Sequence, residues 1–241
     1  MIKNISALII LCVLLTGADY LGAKKLERSK AVMGQTLQIT VFEGDPSRGS
    51  VSVVVEQAFD VALNIEKLIS PTDPDGIIYR VRAAKAGDSF NLEQDIFALV
   101  RDGLKVSRIS DGALDITSGS LRGIWSEAME KAQPPAKEVV EPALPKEGYQ
   151  HIHLDELSRK LTVDKEGIVL DLNILAKGYI LDRVAGFLKD NGVRSAVVDF
   201  GGNTRLVGMS NEGRAWRVGI EHPRIVDQYS LVLELEDERA I

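Results

Sequence analysis

The chain has a single cysteine, three histidines and few aromatics (5%) in 241 residues. One thiol, Cys12, excludes a disulfide framework and any cysteine-rich metal site. A basic cluster is also lacking. Lys+Arg 29 stand against Asp+Glu 35, a net charge of −6, which argues against nucleic acid as a partner. No internal repeat is visible. What is present is a globular composition: 45% apolar residues exclude global disorder, and the length suits one large domain or two small ones. The 21 glycines beside so few aromatics point to many tight backbone turns.

One long apolar run interrupts this pattern. Lys3 precedes an almost wholly apolar stretch from Ile5 to Leu15, and small residues follow at Thr16-Gly17-Ala18 and Gly22-Ala23. That order reads as a secretory signal peptide or N-terminal anchor over residues 1–23, cleavable after Ala18 or Ala23. Leu15-Thr16-Gly17-Ala18 is similar to a bacterial lipoprotein signal with Ala18 in place of the lipidated cysteine, so thioether lipidation at that position is excluded. The expected location is exported: periplasmic, or attached to the outer face of the bacterial inner membrane. Membrane association would run through this segment.

Periodicity places the remaining elements. Lys24 to Lys30 reads as a charged linker and Thr36 to Val41 as a strand. Val51 to Ile69 carries apolar residues at helical spacing and ends before Pro71 and Pro74. A second helix is expected from Asn91 as N-cap, with Gln94 completing a capping box and an apolar face of Leu92, Ile96, Leu99, Val100 and Leu104. Glu130 to Gly148 reads as a surface excursion, and His151 to Leu154 with Lys160 to Val163 as a hairpin. A third helix, Ile174 to Asn191, is closed by Gly192. Ala196 to Phe200 is a buried strand, and Trp216 to Glu221 with Ser230 to Glu236 a final hairpin whose apolar last strand is expected to expose an edge.

Four segments concentrate glycine with Asp or Thr: Met33-Gly34-Gln35-Thr36, Asp111 to Gly119, Leu170 to Gly178, and Asp199-Phe200-Gly201-Gly202-Asn203. Such loops let a backbone approach a ligand, and nearby carboxylates can hold a cation that accompanies a pyrophosphate. Each alone is an ordinary turn or cap; together they point to a nucleotide-like ligand. Asp199-Phe200-Gly201 is no kinase motif, because no Gly-rich strand loop or His-Arg-Asp loop accompanies it. No Gly-x-Ser-x-Gly elbow supports a serine hydrolase. His151 and His153 read as solvated strand histidines rather than zinc ligands. Trp125 and Trp216 read as core anchors.

In this order the four segments resemble the FAD:protein FMN transferase (ApbE-like) family, from Met33 to about Arg224. The resemblance rests on Asp111-Gly112-Ala113-Leu114-Asp115-Ile116-Thr117-x-Gly119-x-Leu121 with Trp125, on Asp171-Leu172 with Ala176-Lys177-Gly178-Tyr179 and Asp182, and on Trp216-x-Val218-Gly219-Ile220-Glu221-His222-Pro223-Arg224. It implies an α+β fold, mainly antiparallel sheet with packed helices around a flavin cleft, over residues 31–241. It implies transfer of FMN from FAD to a Thr hydroxyl of an acceptor protein, a membrane redox subunit, with AMP released and Mg²⁺ required. By resemblance Met33, Ile77, Ile78, Tyr79, Ala113, Leu114, Asp115, Asp171 and Lys177 contact FAD. Ile174 stands where the family places a metal ligand, and only its backbone carbonyl can serve there.

Departures from the family pattern fall at Gly76 and Arg82, where Ser and Asn are usual, and at Ser120, Ile174, Asp199 and Phe200. The Thr-Ser-Gly, His-Ile-Ile-Asp-Pro and Asp/Thr segments with which the family continues after the last strand are not found there in this sequence, so the resemblance implies a C-terminally truncated domain and identifies no catalytic residue. A degenerate flavin-binding paralogue, or an inactive fragment, is the alternative to a transferase.

Overall fold

Alternating apolar residues from Leu37 to Val41 settle into a strand because one side of a sheet can bury them all, while the intervening positions meet a second layer. The structure, a computed structural model, describes residues 25–144, 148–210, 213–226 and 228–235; the expected signal at 1–23 lies outside them. The chain divides into two compact units, Met1–Leu63 with Ile180–Ile241, and Asn64–Tyr179.

The first unit is built on an antiparallel sheet of order β1-β2-β6-β7, from β1 (Leu26–Val32), β2 (Gln35–Gly44), β6 (Val193–Phe200) and β7 (Asn203–Gly208). Register puts Leu37, Ile39 and Val41 opposite Phe200, Val198 and Ala196 on one face, all buried. The other face carries Thr40, Val197 and Leu206, and packs with Phe42 against Trp216 and Val218. Those last two belong to the hairpin of β8 (Trp216–Glu221) and β9 (Tyr229–Leu235). Trp216 tilts against Phe42 at 5.8 Å and donates its Nε1 hydrogen to the Gly208 carbonyl at 2.7 Å. Burial on both faces explains why Ala196, Val197 and Val198 run consecutively apolar in β6. The first part of α1 (Val51–Leu68) is anchored to β1, where Lys30 pairs with Glu56 at 2.8 Å and lies over the Phe59 ring.

The second unit holds a small sheet of order β3-β5-β4, from β3 (Ser89–Asn91), β4 (Ile152–Asp155) and β5 (Lys160–Val163). Around it lie α2 (Ile77–Arg82), α3 (Gln94–Ile109), α4 (Gly119–Glu130), α5 (Lys137–Val140) and the start of α6 (Asn173–Asp190). The α3 stripe of Ile96, Leu99, Val100 and Leu104 is buried as its periodicity predicts.

The mixed, antiparallel α+β class holds, and several local expectations are corrected. Lys24 to Lys30 is no linker; from Leu26 it is strand β1, whose exposed charged positions hide the alternation. Asn91 is not an N-cap: its backbone pairs with Lys160 in β3, and extended Glu93 precedes α3 instead. Trp125 is 51% exposed and anchors no core, whereas Trp216 is 3% exposed and does. The excursion at 130–148 contains the short helix α5 with no buried residue. Leu231 and Val232 of β9 are exposed, in line with an apolar edge. No described helix is long and apolar enough to cross a membrane.

Candidate functional site

Two of the four glycine-containing segments close turns of the sheet in the first unit. Met33 and Gly34, at φ 49° and 71°, form the two-residue tip between β1 and β2, and Gly201 and Gly202 form the matching tip between β6 and β7. Positive φ at both central residues suits a hairpin of the twisted-strand type. Asp199 serves the second tip, accepting from the Gly202 amide at 3.4 Å and the Thr204 hydroxyl at 3.0 Å. Leu37 pairs with Phe200, so both tips lie at the same end of the sheet. Met33, the flavin-packing candidate, is half-buried at this end.

The other two segments lie together in the second unit. Ser118 bridges Val169, the Gly119 amide donates to the Val169 carbonyl at 3.0 Å, and the Asp171 amide donates to the Ile116 carbonyl at 2.7 Å. This approach is so close that a Cβ on Gly119 would stand 2.6 Å from the Val169 oxygen. Glycine is therefore required there by space.

Asp115 is the knot of the site. Its Oδ1 accepts from the Thr117 amide at 2.8 Å and the Thr117 hydroxyl at 2.7 Å, and its Oδ2 accepts from the Tyr149 amide at 3.0 Å. Thr117, fully buried, in turn accepts the Gly148 amide at 2.6 Å. The end of α3 supports the same loop from below. Ser107 is buried; its carbonyl accepts the Gly112 amide and its hydroxyl oxygen the Ile116 amide. Ser110 accepts the Ala113 amide on its carbonyl and the Leu114 amide on its hydroxyl. The amides of Gly112, Ala113, Leu114, Ile116, Thr117, Ser118 and Gly119 are thus all bonded within the chain. A ligand at this loop meets side chains and carbonyls rather than a cradle of amides.

Asp171, 7% exposed, accepts the Asn173 amide and side-chain amide on Oδ1, at 3.2 and 3.3 Å, and faces Arg122 Nε with Oδ2 at 3.3 Å. Its carboxylate thus caps the start of α6. Lys177, one turn beyond Asn173, is half-buried, and its ammonium makes no hydrogen bond or ion pair among the described residues. Tyr179 donates its hydroxyl to Asp95 at 2.8 Å and ties α6 to α3. Ile174 is 59% exposed in the first turn of α6. Ile77 and Ile78 are core residues, with Tyr79 39% exposed; the amides of all three open α2, where a helix leaves donors without an intrahelical acceptor. Ala113 is exposed and Leu114 half-buried on the Asp115 loop.

His151 and His153 keep exposed side chains, in line with solvated histidines, and share one partner. The Asp164 carboxylate joins them, Oδ1 to His151 Nδ1 and Oδ2 to His153 Nε2, each at 2.7 Å. These bonds, that to His153 first, hold the Asp164 carboxyl below its ordinary value of 3.8. Arg122 and Asp164 escaped the sequence reading: an arginine on an exposed helix and an aspartate after a strand carry no local signal. Among the described residues no group of three or more His, Cys, Asp or Glu side chains is placed to hold a metal ion.

Comparison with known proteins matches residues 33–241 to the model of the ApbE family. An FAD:protein FMN transferase from Vibrio cholerae serotype O1 is 26% identical over 212 residues, covering 87% of this chain and 62% of that protein. One of the same name from Escherichia coli K12 is 27% identical over 162 residues, covering 66% and 46%. A crystal structure of the ApbE protein of Thermotoga maritima superposes with a TM-score of 0.77 at 23% identity, over 90% of this chain and 69% of that one, which bears on the fold. The chain thus spans between about half and two thirds of the length of these curated relatives.

Proposed function

The chain belongs to the ApbE family, and on that premise we propose that it serves as an FAD:protein FMN transferase, moving FMN from FAD to a Thr hydroxyl of an acceptor protein. The observation that carries this reading is the joining of the Asp111–Gly119 and Asp171–Lys177 segments, distant in sequence, by the Gly119–Val169 and Asp171–Ile116 backbone bonds. The names of the relatives support FMN transfer from FAD to a protein, while the Thr acceptor and AMP release rest on the family resemblance.

In the proposed reaction the acceptor Thr oxygen attacks the FMN-side phosphorus of FAD. The bond to the AMP oxygen breaks, AMP leaves, and a base takes the hydroxyl proton. The chain's own part is to bind and orient. Lys177 offers an unspent positive charge to the pyrophosphate, the start of α6 adds its dipole, and the Asp115–Thr117 knot holds the neighbouring loop still. Mg²⁺ would add Lewis-acid neutralisation of the pyrophosphate. The described residues do not form a site for it by themselves, since Ile174 brings no ligating side chain. Export to the outer face of the inner membrane, and a membrane redox subunit as acceptor, complete the proposal; both rest on the Lys3 to Ala23 pattern and the family resemblance.

The test is AMP release from FAD by the purified chain, with Mg²⁺ and a Thr-containing acceptor peptide. The expected result is acceptor-dependent AMP together with a flavin on the Thr by mass spectrometry. Bound FAD with neither product overturns the transferase and leaves a flavin-holding paralogue.

A further inference from the structure

An acid stands where the pyrophosphate is expected. Asp171 is too buried to turn away into water, and a bare carboxylate would repel a polyanion. The neighbouring loop has spent its amides at Gly112 to Leu114 and Ile116 to Gly119, and the Asn173 amide is spent on Asp171 itself. Side-chain cations are what this part of the chain adds to meet the phosphate oxygens. Lys177 supplies one. The second is Arg122, in the first turn of α4.

Arg122 holds Asp171 through Nε, at 3.3 Å, while its side chain stays 55% exposed. That single contact leaves the Nη donors of the guanidinium fork for another acceptor. The fork matches phosphate oxygens in a way that an ammonium does not. Asn173, which also donates to Asp171, precedes Lys177 by four residues in α6, so Lys177 lies one turn along the helix that Asp171 caps.

We propose that Arg122 is a further binding residue for the pyrophosphate of FAD, oriented by Asp171 through Nε and acting together with Lys177. The proposal rests on the transferase reading above. Asp171 then acts as a positioning residue: it fixes the cation and is neutralised by it.

The experiment compares three ligands on the purified chain by titration calorimetry: FAD, ADP and riboflavin. FAD and ADP carry the pyrophosphate; riboflavin carries no phosphate. Arg122→Gln is expected to weaken FAD and ADP about tenfold, the scale of a lost charge-assisted hydrogen bond, with riboflavin affinity unchanged. Arg122→Lys is expected to fall between the two, because it keeps the charge and loses the fork. Equal FAD affinity in wild type and Arg122→Gln overturns the role of Arg122 and leaves the transferase reading standing. So does an equal loss for all three ligands, which marks a merely structural ion pair. A wild-type chain that binds none of the three overturns both.

Discussion

The two units use the same kinds of residues to different ends. In the sheet unit, Met33-Gly34 and Asp199-Phe200-Gly201-Gly202 meet the needs of hairpins: positive φ at the tips, a side-chain acceptor for a tip amide, and a ring in the core. In the loop unit, Asp115, Thr117, Gly119 and Asp171 join segments that no ladder joins, by side-chain to backbone bonds, two backbone bonds and one close glycine contact. A Gly/Asp segment is thus weak evidence for a ligand until its amides are counted. Where a strand pair accounts for them, the motif serves the fold. Where polar side chains knit irregular backbone next to the start of α6, the motif does work that no strand pair accounts for.

Phe200→Ala tests the first half of this comparison and carries the largest expected effect. The ring is fully buried on the face with Leu37, Ile39 and Val198, and its loss should cost about 3–5 kcal/mol of stability in a urea titration. A cost near zero would mean that the segment does something other than hold the sheet. Thr117→Val tests the second half. The shape is kept, but the donor to Asp115 and the acceptor for the Gly148 amide are both lost in a buried place. A cost of about 1–3 kcal/mol is expected, with faster hydrogen exchange at the Gly148 and Tyr149 amides. Unchanged exchange there would separate those amides from the knot.

Helices α1, α3 and α6 and the buried strands were legible because burial on a face leaves a trace in the sequence, as in the α3 stripe and Ala196 to Val198 of β6. Strand β1 was not, because its exposed positions carry Glu27, Arg28 and Ser29 and mask the alternation. Nor was α4, which opens with Gly119-Ser120 and buries only Ala128. Within the site, the residue types at Asp115, Asp171 and Lys177 could be read, but not what satisfies them. The Thr117–Gly148 bond spans 31 residues and the Asp115–Tyr149 bond 34, and local pattern says nothing about partners so far apart. The same blindness hid the carboxylate that joins the two exposed histidines: Asp164 lies 13 and 11 residues from them.

That pair gives the smallest effect and the finest division of the comparison, because it borders the loop unit's knot without entering it. His151 begins two residues after Tyr149, whose amide Asp115 holds, and the Asp164 amide donates back to the His151 carbonyl at 3.2 Å. Bonding to His153 and His151 lowers the folded Asp164 carboxyl below 3.8. The unfolded carboxyl binds its proton at a higher pH than the folded one, so the contribution is complete above 3.8 and fades as pH falls through the lowered value. Asp164→Asn should remove that acid-side slope. Urea midpoints of wild type and variant are expected to differ at about pH 6 and to converge toward about pH 2. Because the carboxylate is exposed, the difference should be small and should shrink with added salt. If Asp164→Asn also speeds exchange at the Tyr149 amide, the His–Asp–His cluster is part of what holds the Asp115 loop, and the line between scaffold and site moves outward by one strand.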